Sequence, residues 1–347
     1  MAIKKDIISR RYFNDGVLLE NLDDAQKEYL KLFLADKRIK YKTISECPLC
    51  QSENSILIAE KEKYAIPLET VVCENCGLVR SLKQPDEESS KIFYSEYYRN
   101  IYDPFNNDLI NKLYGQREKE RILKYVTKDK IILEIGYGGG WNLMPFQKRG
   151  YKHYGFDFDK EFIEYGKGKG LNLFLGGVEE AIKMGIKCDY LFLDQVLEHV
   201  DNPINFLKSL KPLLKDNAII NIYVPSLDLL LWGYTDYDLL NTLQNAHNFL
   251  FDEFTLKAVG VIAGFKIINC IATNLVLKNS QNITNSFLDY SKLNRGKKIV
   301  EYLKFVERTL SFRKKIGVEK ILFKKFYCLV KPMGCYKRFL SDYFGKI

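Results

Sequence analysis

The chain has 347 residues, 46% hydrophobic and 28% charged, a composition typical of a globular protein of about two domains. No apolar run reaches the roughly 20 residues that a membrane-spanning helix needs, and the N-terminus lacks the apolar segment of a secretory signal, so we expect a cytoplasmic protein. The net charge of +9 is uneven: residues 291–347 hold 16 Lys or Arg against 4 Asp or Glu, which leaves −3 for residues 1–290. The basic character therefore belongs to the C-terminal part and does not make the rest of the chain a polyanion binder.

Two cysteine pairs follow a first segment, residues 1–45, which we expect to be helical. Each pair has the spacing C-x2-C, and 22 residues separate the pairs, Cys47-Pro-Leu-Cys50 and Cys73-Glu-Asn-Cys76. Two such knuckles on a short β-hairpin direct four thiolates at one tetrahedral ion, and Gly77 permits the left-handed turn that a knuckle uses. Because a reducing compartment disfavours disulfides, we predict a closed, structural zinc site in a module of residues 46–85. Buried free thiols and a redox pair are the alternatives.

An aromatic-rich connector, residues 86–117, comes next. Its tyrosines are Tyr94, Tyr97, Tyr98 and Tyr102. They could cover a cofactor or line an acceptor site, or they could pack between the cysteine module and the domain that follows. The sequence favours neither interpretation over the other.

An acid and three glycines follow a short apolar strand that begins near residue 131. The strand ends in Glu134, and the loop after it carries Gly136, Gly138 and Gly140. A glycine loop between a strand and a helix forms a nucleotide crevice at the carboxyl edge of an open α/β sheet. The dinucleotide pattern would need its third glycine at position 141, which is Trp, and the Gly-Lys-Ser/Thr of a P-loop is absent. The remaining common ligand is an adenosine compound without a phosphate group, S-adenosylmethionine.

Strands and helices alternate after this loop. The predicted elements are a strand at 151–156 before Asp157, an apolar strand running into Glu198-His199, a helix beginning at Asn202-Pro203, a strand at 218–224, a helix after His247 and a strand at 265–272. Asp157 at a strand end is placed to accept hydrogen bonds from both ribose hydroxyls of an adenosine ligand.

Together these segments resemble the class I S-adenosylmethionine-dependent methyltransferases. The resemblance covers about residues 118–278 and rests on segments in family order, Leu133-Glu-Ile-Gly-Tyr-Gly-Gly-Gly, Gly155-Phe-Asp, Val196-Leu-Glu-His-Val, Leu210-Lys-Pro-Leu-Leu and His247 through Phe265. It implies an α/β fold, a Rossmann-like sheet with helices on both faces. Two departures affect the adenine side: Lys-Asp-Asn-Ala at 215–218 replaces the usual Pro-Gly-Gly, and Gly177 stands where the family often has an acid.

The resemblance also implies a binding site for S-adenosylmethionine. Glu179 is expected to replace the acid that is missing at Gly177. The full set of expected cofactor-binding residues is Glu134, Gly136, Gly138, Gly140, Asp157, Phe158, Glu179 and Gln195.

Candidate catalytic residues lie at the predicted carboxyl edge of the sheet. Methyl transfer needs a positioned acceptor and, for some acceptors, removal of a proton, for which an imidazole is suited near neutral pH. His199 is the preferred base, Glu198 beside it could orient the ring, and His247 is the reserve. The structural alternative for both histidines is a backbone hydrogen bond in a loop, and for His153 within a strand we expect that alternative.

The arrangement of a cysteine module before the methyltransferase segment resembles enzymes of bacterial sugar and surface-polysaccharide pathways, on Cys76-Gly-Leu-Val-Arg, Pro85 and Phe93-Tyr-Ser-Glu-Tyr-Tyr. It implies a sugar-type acceptor, nucleotide-linked or a glycan precursor. The alternatives are an RNA-modifying enzyme, which the many glutamates of the module disfavour, and a non-catalytic scaffold. The basic C-terminal extension, residues 279–347, could contact an anionic membrane or phosphate-bearing acceptor, or it could be an ordinary helical appendage.

Overall fold

Two large β-sheets organise the protein. The computed structural model describes residues 2–102, 127, 129–136, 138, 140–232, 238–280 and 293–316. Within them lie a five-stranded sheet, a seven-stranded sheet and a two-stranded ribbon. The five-stranded sheet belongs mainly to the N-terminal module, residues 2–85, and the seven-stranded sheet to the predicted methyltransferase segment.

The N-terminal module is built around an antiparallel hairpin. Its strands are β1 Ala2–Lys5, β2 Tyr41–Thr43, β3 Asn54–Lys61, β4 Pro67–Cys73, β5 Val79–Ser81 and β6 Lys83–Pro85, and its helix is α1 Asp24–Ala35. Asp23 caps α1 in a reciprocal capping box with Gln26. Strand β1 pairs in parallel with β3, and β2 pairs with β6, so the expectation that residues 1–45 are helical is wrong for these two strands. Strand β1 has only four residues, and so short a segment shows no periodicity that would distinguish a strand from a helix.

A short helical connector leaves the N-terminal module. It comprises α2 Glu87–Ile92, a π-helical turn Phe93–Tyr97 and α3 Tyr98–Tyr102. The Tyr97 ring packs against the Phe33 ring of α1 at a tilted angle, and its hydroxyl donates a hydrogen bond to Asp36, at 2.8 Å. Arg99 forms an ion pair with Asp159 in the second domain, at 3.0 Å. The connector is thus tied to both domains; its predicted remainder, residues 103–117, lies outside the described residues.

The second sheet has the order β13-β14-β11-β10-β7-β8-β9. Its strands are β7 Ile131–Ile135, β8 Lys152–Asp157, β9 Leu173–Leu175, β10 Cys188–Asp194, β11 Leu214–Tyr223, β13 Lys266–Ile271 and β14 Asn274–Lys278. Strands β7 to β11 are parallel and follow the 3-2-1-4-5 order of a doubly wound sheet, whereas β14 is antiparallel to both neighbours. The predicted α/β Rossmann-like sheet is confirmed, and β9 and β14 are additions that the sequence did not reveal.

Helices cover both faces of the second sheet. They are α4 Met144–Lys148, α5 Lys160–Gly168, α6 Val178–Lys183, α7 Pro203–Ser209 and α8 Glu253–Ile262. Adjacent residues of β7 point to opposite faces: Ile132 packs with the apolar residues of α4 and α5, and Leu133 with those of α6, α7 and α8. Asn202 caps α7 through its side-chain oxygen, as the Asn-Pro signal predicts.

The two domains are joined by elements that one part of the chain contributes to the other. Strand β12, Phe249–Leu250, leaves the second domain and pairs with β5 of the N-terminal module. Helix α9, Gly296–Ile316, returns from the C-terminal extension and packs on the module's sheet. Arg295, at the start of α9, forms a buried ion pair with Asp252 at 2.7 Å and donates to the carbonyl of Cys76 at 2.9 Å.

The apolar side of α9 is buried. Its predicted helical stripe, Ile299, Leu303, Val306 and Leu310, is at most 6% exposed. The apolar side of this helix therefore packs inside the protein, and contact of the basic extension with an anionic membrane stays a prediction. Among the described residues, no helix combines the length and apolar character that crossing a membrane requires. Residues 317–347 lie outside the described part of the chain.

The packing of α9 predicts a stability effect. Leu303→Ala removes a side chain that is 1% exposed, and we expect the free energy of unfolding to fall by about 2–5 kcal/mol. Phe312→Ala on the same helix, where the ring is 58% exposed, is the control and should change stability by less than about 0.5 kcal/mol. Urea unfolding monitored by circular dichroism measures both. Equal, small effects would show that α9 is an appendage.

Candidate active site

The topology places a crevice between β7 and β10. From β7 the chain proceeds to β8 on one side, while the next strands, β10 and β11, lie on the other side. In an open α/β sheet, ligands bind outside the carboxyl ends of the strands at such a switch point. The residues that follow β7, β8 and β10 are therefore the first candidates for contact with a ligand.

The glycine loop after β7 has a left-handed backbone at each of its three predicted glycines. The φ angles of Gly136, Gly138 and Gly140 are +70°, +53° and +72°. A Cβ at Gly136 would lie 2.6 Å from Val196, and one at Gly138 would lie 2.8 Å from the Trp141 ring. The backbone angles and the lack of room for a Cβ therefore both require glycine here. Because glycine has no side chain, a ligand can approach the main chain of the loop closely.

Two acids flank this loop. Glu134 is fully buried, and its Oε1 accepts a hydrogen bond from Asn142 Nδ2 at 2.6 Å. Asp157, at the end of β8, accepts bonds from the backbone N–H of Gly138 at 3.0 Å and of Asp159 at 2.9 Å. Burial raises the pKa of Asp157, and the two N–H donors oppose that shift. Asp157 thus ties the second strand to the glycine loop, a contact that the sequence did not predict.

The remaining predicted cofactor residues lie around the same edge. Phe158 is 73% exposed, and its ring lies 3.2 Å from the place where a Cβ of Gly177 would be. Glu179 is exposed in the first turn of α6, while its neighbour Glu180 turns back to accept from the Gly177 N–H at 3.0 Å. Gln195 follows β10 with a φ of +57°, an uncommon angle for a residue other than glycine.

Sequence reasoning missed two polar residues of this edge. Asn142 is 3% exposed and bridges the predicted acid Glu134 to Asp194, whose Oδ2 lies 2.9 Å from Asn142 Nδ2. Asp194 could have been found from the sequence, because it is an acid at the end of an apolar strand and directly precedes the predicted Gln195. Asn142 carried no such signal, because its role depends on Glu134 and Asp194, which lie on different strands and are 60 positions apart in the chain.

Glu198, His199 and His247 converge beside the crevice, and we call them the acceptor-side cluster. The Glu198 side chain is fully buried, and His199 Nε2 lies 3.8 Å from its Oε1. The two imidazole rings are 4.9 Å apart and nearly perpendicular. Burial raises the pKa of Glu198 to about 8 and lowers the pKa of His199 to about 4, so both are neutral at pH 7. The structure thus brings together all three predicted catalytic residues.

Backbone carbonyls fix the tautomer of both histidines. Nδ1 of His199 lies 2.9 Å from the Ala246 oxygen, and Nδ1 of His247 lies 2.9 Å from the Thr242 oxygen. A carbonyl oxygen can only accept, so each Nδ1 carries the proton and each Nε2 carries a lone pair. The backbone bonds expected under the structural alternative are thus present. Nε2 of His199 faces Glu198, and Nε2 of His247 lies 2.5 Å from the Gln244 amide nitrogen.

The aromatic connector borders the acceptor-side cluster. The Tyr94 hydroxyl lies 3.0 Å from His199 Nδ1, and the Tyr98 ring stands 6.0 Å from the His199 ring. Tyr102 accepts a long hydrogen bond from the Asn245 N–H, at 3.4 Å. Tyr97, in contrast, packs against α1. Tyr94 and Tyr98 thus lie beside His199, and Tyr97 packs within the N-terminal module; a role of these tyrosines toward a cofactor or an acceptor stays a prediction.

His153 has the structural role that we expect for it, because its ring nitrogens bond to the Tyr151 carbonyl and the Asn172 N–H.

The four predicted cysteine ligands form a second candidate centre. Hairpin β3–β4 brings the knuckles together, with Sγ–Sγ distances of 3.5 Å for Cys47–Cys76 and 3.4 Å for Cys50–Cys73. A tetrahedral zinc with Zn–S bonds of about 2.3 Å needs sulfurs about 3.8 Å apart, so the set fits with small shifts. Each knuckle is followed by a left-handed residue, Gly77 as predicted and also Gln51, with φ angles of +80° and +59°.

The surroundings of the cysteines favour a charged centre. Arg80 is 1% exposed, and it donates to three neutral groups, the Ile44 carbonyl at 3.0 Å and the Ser81 carbonyl and Ser55 hydroxyl at 3.4 Å each. Burial lowers the Arg80 pKa, and attraction to the four sulfurs opposes this. Four thiolates around one Zn²⁺ carry a net charge of −2, which would compensate a buried guanidinium.

Known proteins match the second domain. Residues 107–269 match the family model described as "Methyltransferase domain". A protein of Methanocaldococcus jannaschii described as uncharacterised, MJ1123, is 25% identical over 191 residues, which are 55% of this chain and 86% of that protein. Solved methyltransferases of Archaeoglobus fulgidus and Aquifex aeolicus, both described as SAM-dependent, have 18% and 20% identity and TM-scores of 0.41 and 0.39. They cover 54% and 50% of this chain and 99% of each solved chain.

The family match and the sheet order support the same class of protein. Residues 107–269 are similar to a methyltransferase domain, and the described strands of that segment form the Rossmann-like sheet that such a domain needs. The left-handed glycine loop and the acids on either side of it form the part of that domain in which S-adenosylmethionine is expected.

Proposed function

We propose that this methyltransferase acts on a small-molecule acceptor of the sugar class, a nucleotide-linked sugar or a glycan precursor. The observation that carries the proposal is the acceptor-side cluster, which joins two neutral imidazoles and a carboxyl group beside the cofactor crevice. Such groups suit an acceptor with hydroxyls that must be oriented and deprotonated. The choice of a sugar rests on the resemblance of the module-plus-methyltransferase arrangement.

The residues of the crevice fit S-adenosylmethionine. Asp157 would accept hydrogen bonds from the ribose hydroxyls, the glycine loop would allow close approach, and exposed Phe158 would offer a flat surface to adenine. When bound, S-adenosylmethionine supplies a methyl group on a sulfonium sulfur, which is activated for in-line displacement. The protein's task is then mainly to position the acceptor.

His199 is our preferred group for removing the acceptor's proton. Its Nδ1 proton is held by the Ala246 carbonyl, so the lone pair on Nε2 can take a proton from a hydroxyl. With a pKa lowered to about 4, this imidazole is present in the right form but is a weak base. Glu198 lies on the Nε2 side, and His247 is the reserve base.

The four cysteines are proposed to hold one structural zinc. All four positions are thiols, so such a site is closed and leaves no position for substrate. The knuckles belong to the same apolar core as the second domain, with Cys47, Cys73 and Cys76 fully buried. Zinc would therefore stabilise the domain contact as well as the module.

Asp157→Ala tests the cofactor site. We expect affinity for S-adenosylmethionine to fall by about 1–3 kcal/mol, because hydrogen bonds to a charged group are lost. Asp216→Ala, an exposed acid at the amino edge of the sheet, should leave affinity unchanged. Isothermal titration calorimetry measures both, and unchanged affinity in Asp157→Ala, or no binding by the wild type, would contradict the assigned crevice.

Zinc content tests the cysteine site. Reduced protein dialysed against a weak chelator should retain one zinc per chain by elemental analysis, and Cys50→Ser should lose it and melt at lower temperature, because structural zinc contributes folding energy. Cys270→Ser removes a thiol outside the cluster and should keep the metal. A wild type without tightly held metal would refute the site.

His199→Ala tests the proposed base, with product detection by mass spectrometry on a panel of nucleotide sugars. Turnover should fall about 100-fold or more while affinity for S-adenosylmethionine stays nearly intact. His153→Gln is the control for loss of a buried histidine and should keep turnover. Full turnover in His199→Ala would make His199 structural, and methylation of RNA but of no sugar would replace the acceptor class.

A further inference from the structure

The acceptor-side cluster brings together three side chains of types that commonly bind metal ions. One ligand atom from each of Glu198, His199 and His247 lies within 4.8 Å of the other two. The residues come from two segments, the end of the loop after β10 and the loop before β12. Backbone bonds from the N–H groups of Asn248 and Phe249 to the Glu198 carbonyl, at 2.8 and 3.1 Å, hold these segments together.

Both histidines are oriented in the manner of metal ligands. A metal-binding imidazole typically donates its other N–H to a carboxylate or backbone carbonyl, which fixes the tautomer and the ring direction. Here the Ala246 and Thr242 carbonyls fill that role, at 2.9 Å each. The Nε2 lone pairs are therefore set before any ligand arrives.

The Glu198 carboxyl group lacks the partners that a buried acid needs. Its side chain is fully buried, and neither oxygen has a hydrogen-bond partner in the part of the chain that the structure describes. Burying such a group without a partner is costly, and a nearby cation is one of the few ways to compensate it. This observation is independent of the arrangement of the histidines.

We propose that Glu198, His199 and His247 bind a divalent transition-metal ion, in a second metal site distinct from the four cysteines. Two imidazoles and one carboxylate are the ligand set of catalytic zinc sites and of facial iron sites, both of which keep coordination positions open. The cysteine site, by contrast, is closed. The two centres thus differ in ligand softness and in function.

The geometry requires only small movements. Ligand atoms that bind zinc at about 2.0–2.2 Å lie roughly 3–3.6 Å from one another, so the three side chains need to approach by about an ångström. The amide nitrogen of Gln244 lies 2.5 Å from His247 Nε2 and occupies that lone pair when no cation is present. Rotation of the amide would turn its oxygen toward the cation instead.

The role of this ion rests on the proposed function. An acceptor hydroxyl bound at an open position would release its proton to solvent water more easily, because a divalent cation lowers the pKa of a bound oxygen. In that state the cation takes the place of His199 as the activating group, since the Nε2 lone pair of His199 is then bound to the metal. Metal binding itself depends on neither the cofactor nor the acceptor.

Zinc stoichiometry tests the second site. The full chain is equilibrated with excess Zn²⁺, desalted, and analysed for zinc and protein. We expect two zinc ions per chain in the wild type, one in Glu198→Gln, one in His199→Gln and one in Cys50→Ser. His153→Gln removes the one histidine of the chain that lies outside the cluster, and this variant should keep two zinc ions. Thermal melts and affinity for S-adenosylmethionine establish that Glu198→Gln and His199→Gln are folded.

Each outcome decides one idea. One zinc in the wild type that both Glu198→Gln and His199→Gln retain, or two zincs in both variants, overturns the second site. One zinc that these variants lose and Cys50→Ser keeps supports the second site and refutes the cysteine site. Methyl transfer by a chain that holds one zinc leaves the proposed function intact and removes only this inference. Two zincs in a chain that methylates no sugar support the metal site and overturn only the proposed acceptor.

Discussion

The ion pair between Arg295 and Asp252 is the contact on which the joined architecture depends. Both side chains are buried, at 7% and 1% side-chain exposure, and their closest atoms are 2.7 Å apart. Arg295 also donates to the Cys76 carbonyl and stacks over Phe254, at 3.9 Å. Asp252 in turn caps α8. One guanidinium therefore joins a cysteine knuckle, a helix of the catalytic domain and the start of α9, and loss of either partner would leave a buried charge uncompensated.

The same junction links the cysteine module to the proposed chemistry. Strand β5 of the N-terminal module pairs with β12, and the Ser81 hydroxyl donates to the His247 carbonyl at 3.0 Å. The Ser81 N–H donates to the Asn248 carbonyl at 2.9 Å. The segment that carries His247 is thus held by the edge of the module, which gives a remote cysteine site a physical route to the geometry of the acceptor side.

Local patterns in the sequence predicted local structure well. The glycine loop, the acid at 157, the Asn-Pro helix start and the turn at Gly77 each depend on a few consecutive residues, and the structure has each of them. The misses are contacts between distant segments. Pairing of β1 with β3, the shared strand β12 and the bridge from Asn142 to Asp194 are set by tertiary packing, to which no short pattern corresponds. The histidines could be proposed singly, but their convergence required the fold.

The shared strand and the returning helix have a consequence for synthesis of the protein on the ribosome. The cysteine knuckles and strands β3 to β5 emerge early, yet β12 and α9, which complete and cover their sheet, emerge about 170 to 220 residues later. At roughly 5–20 residues per second, the sheet waits on the order of 10–40 seconds with Val72 and Val79 uncovered. The nascent module therefore lacks part of its sheet and its covering helix until α9 has been synthesised, and early capture of a metal by the knuckles would help to keep it ordered during that interval.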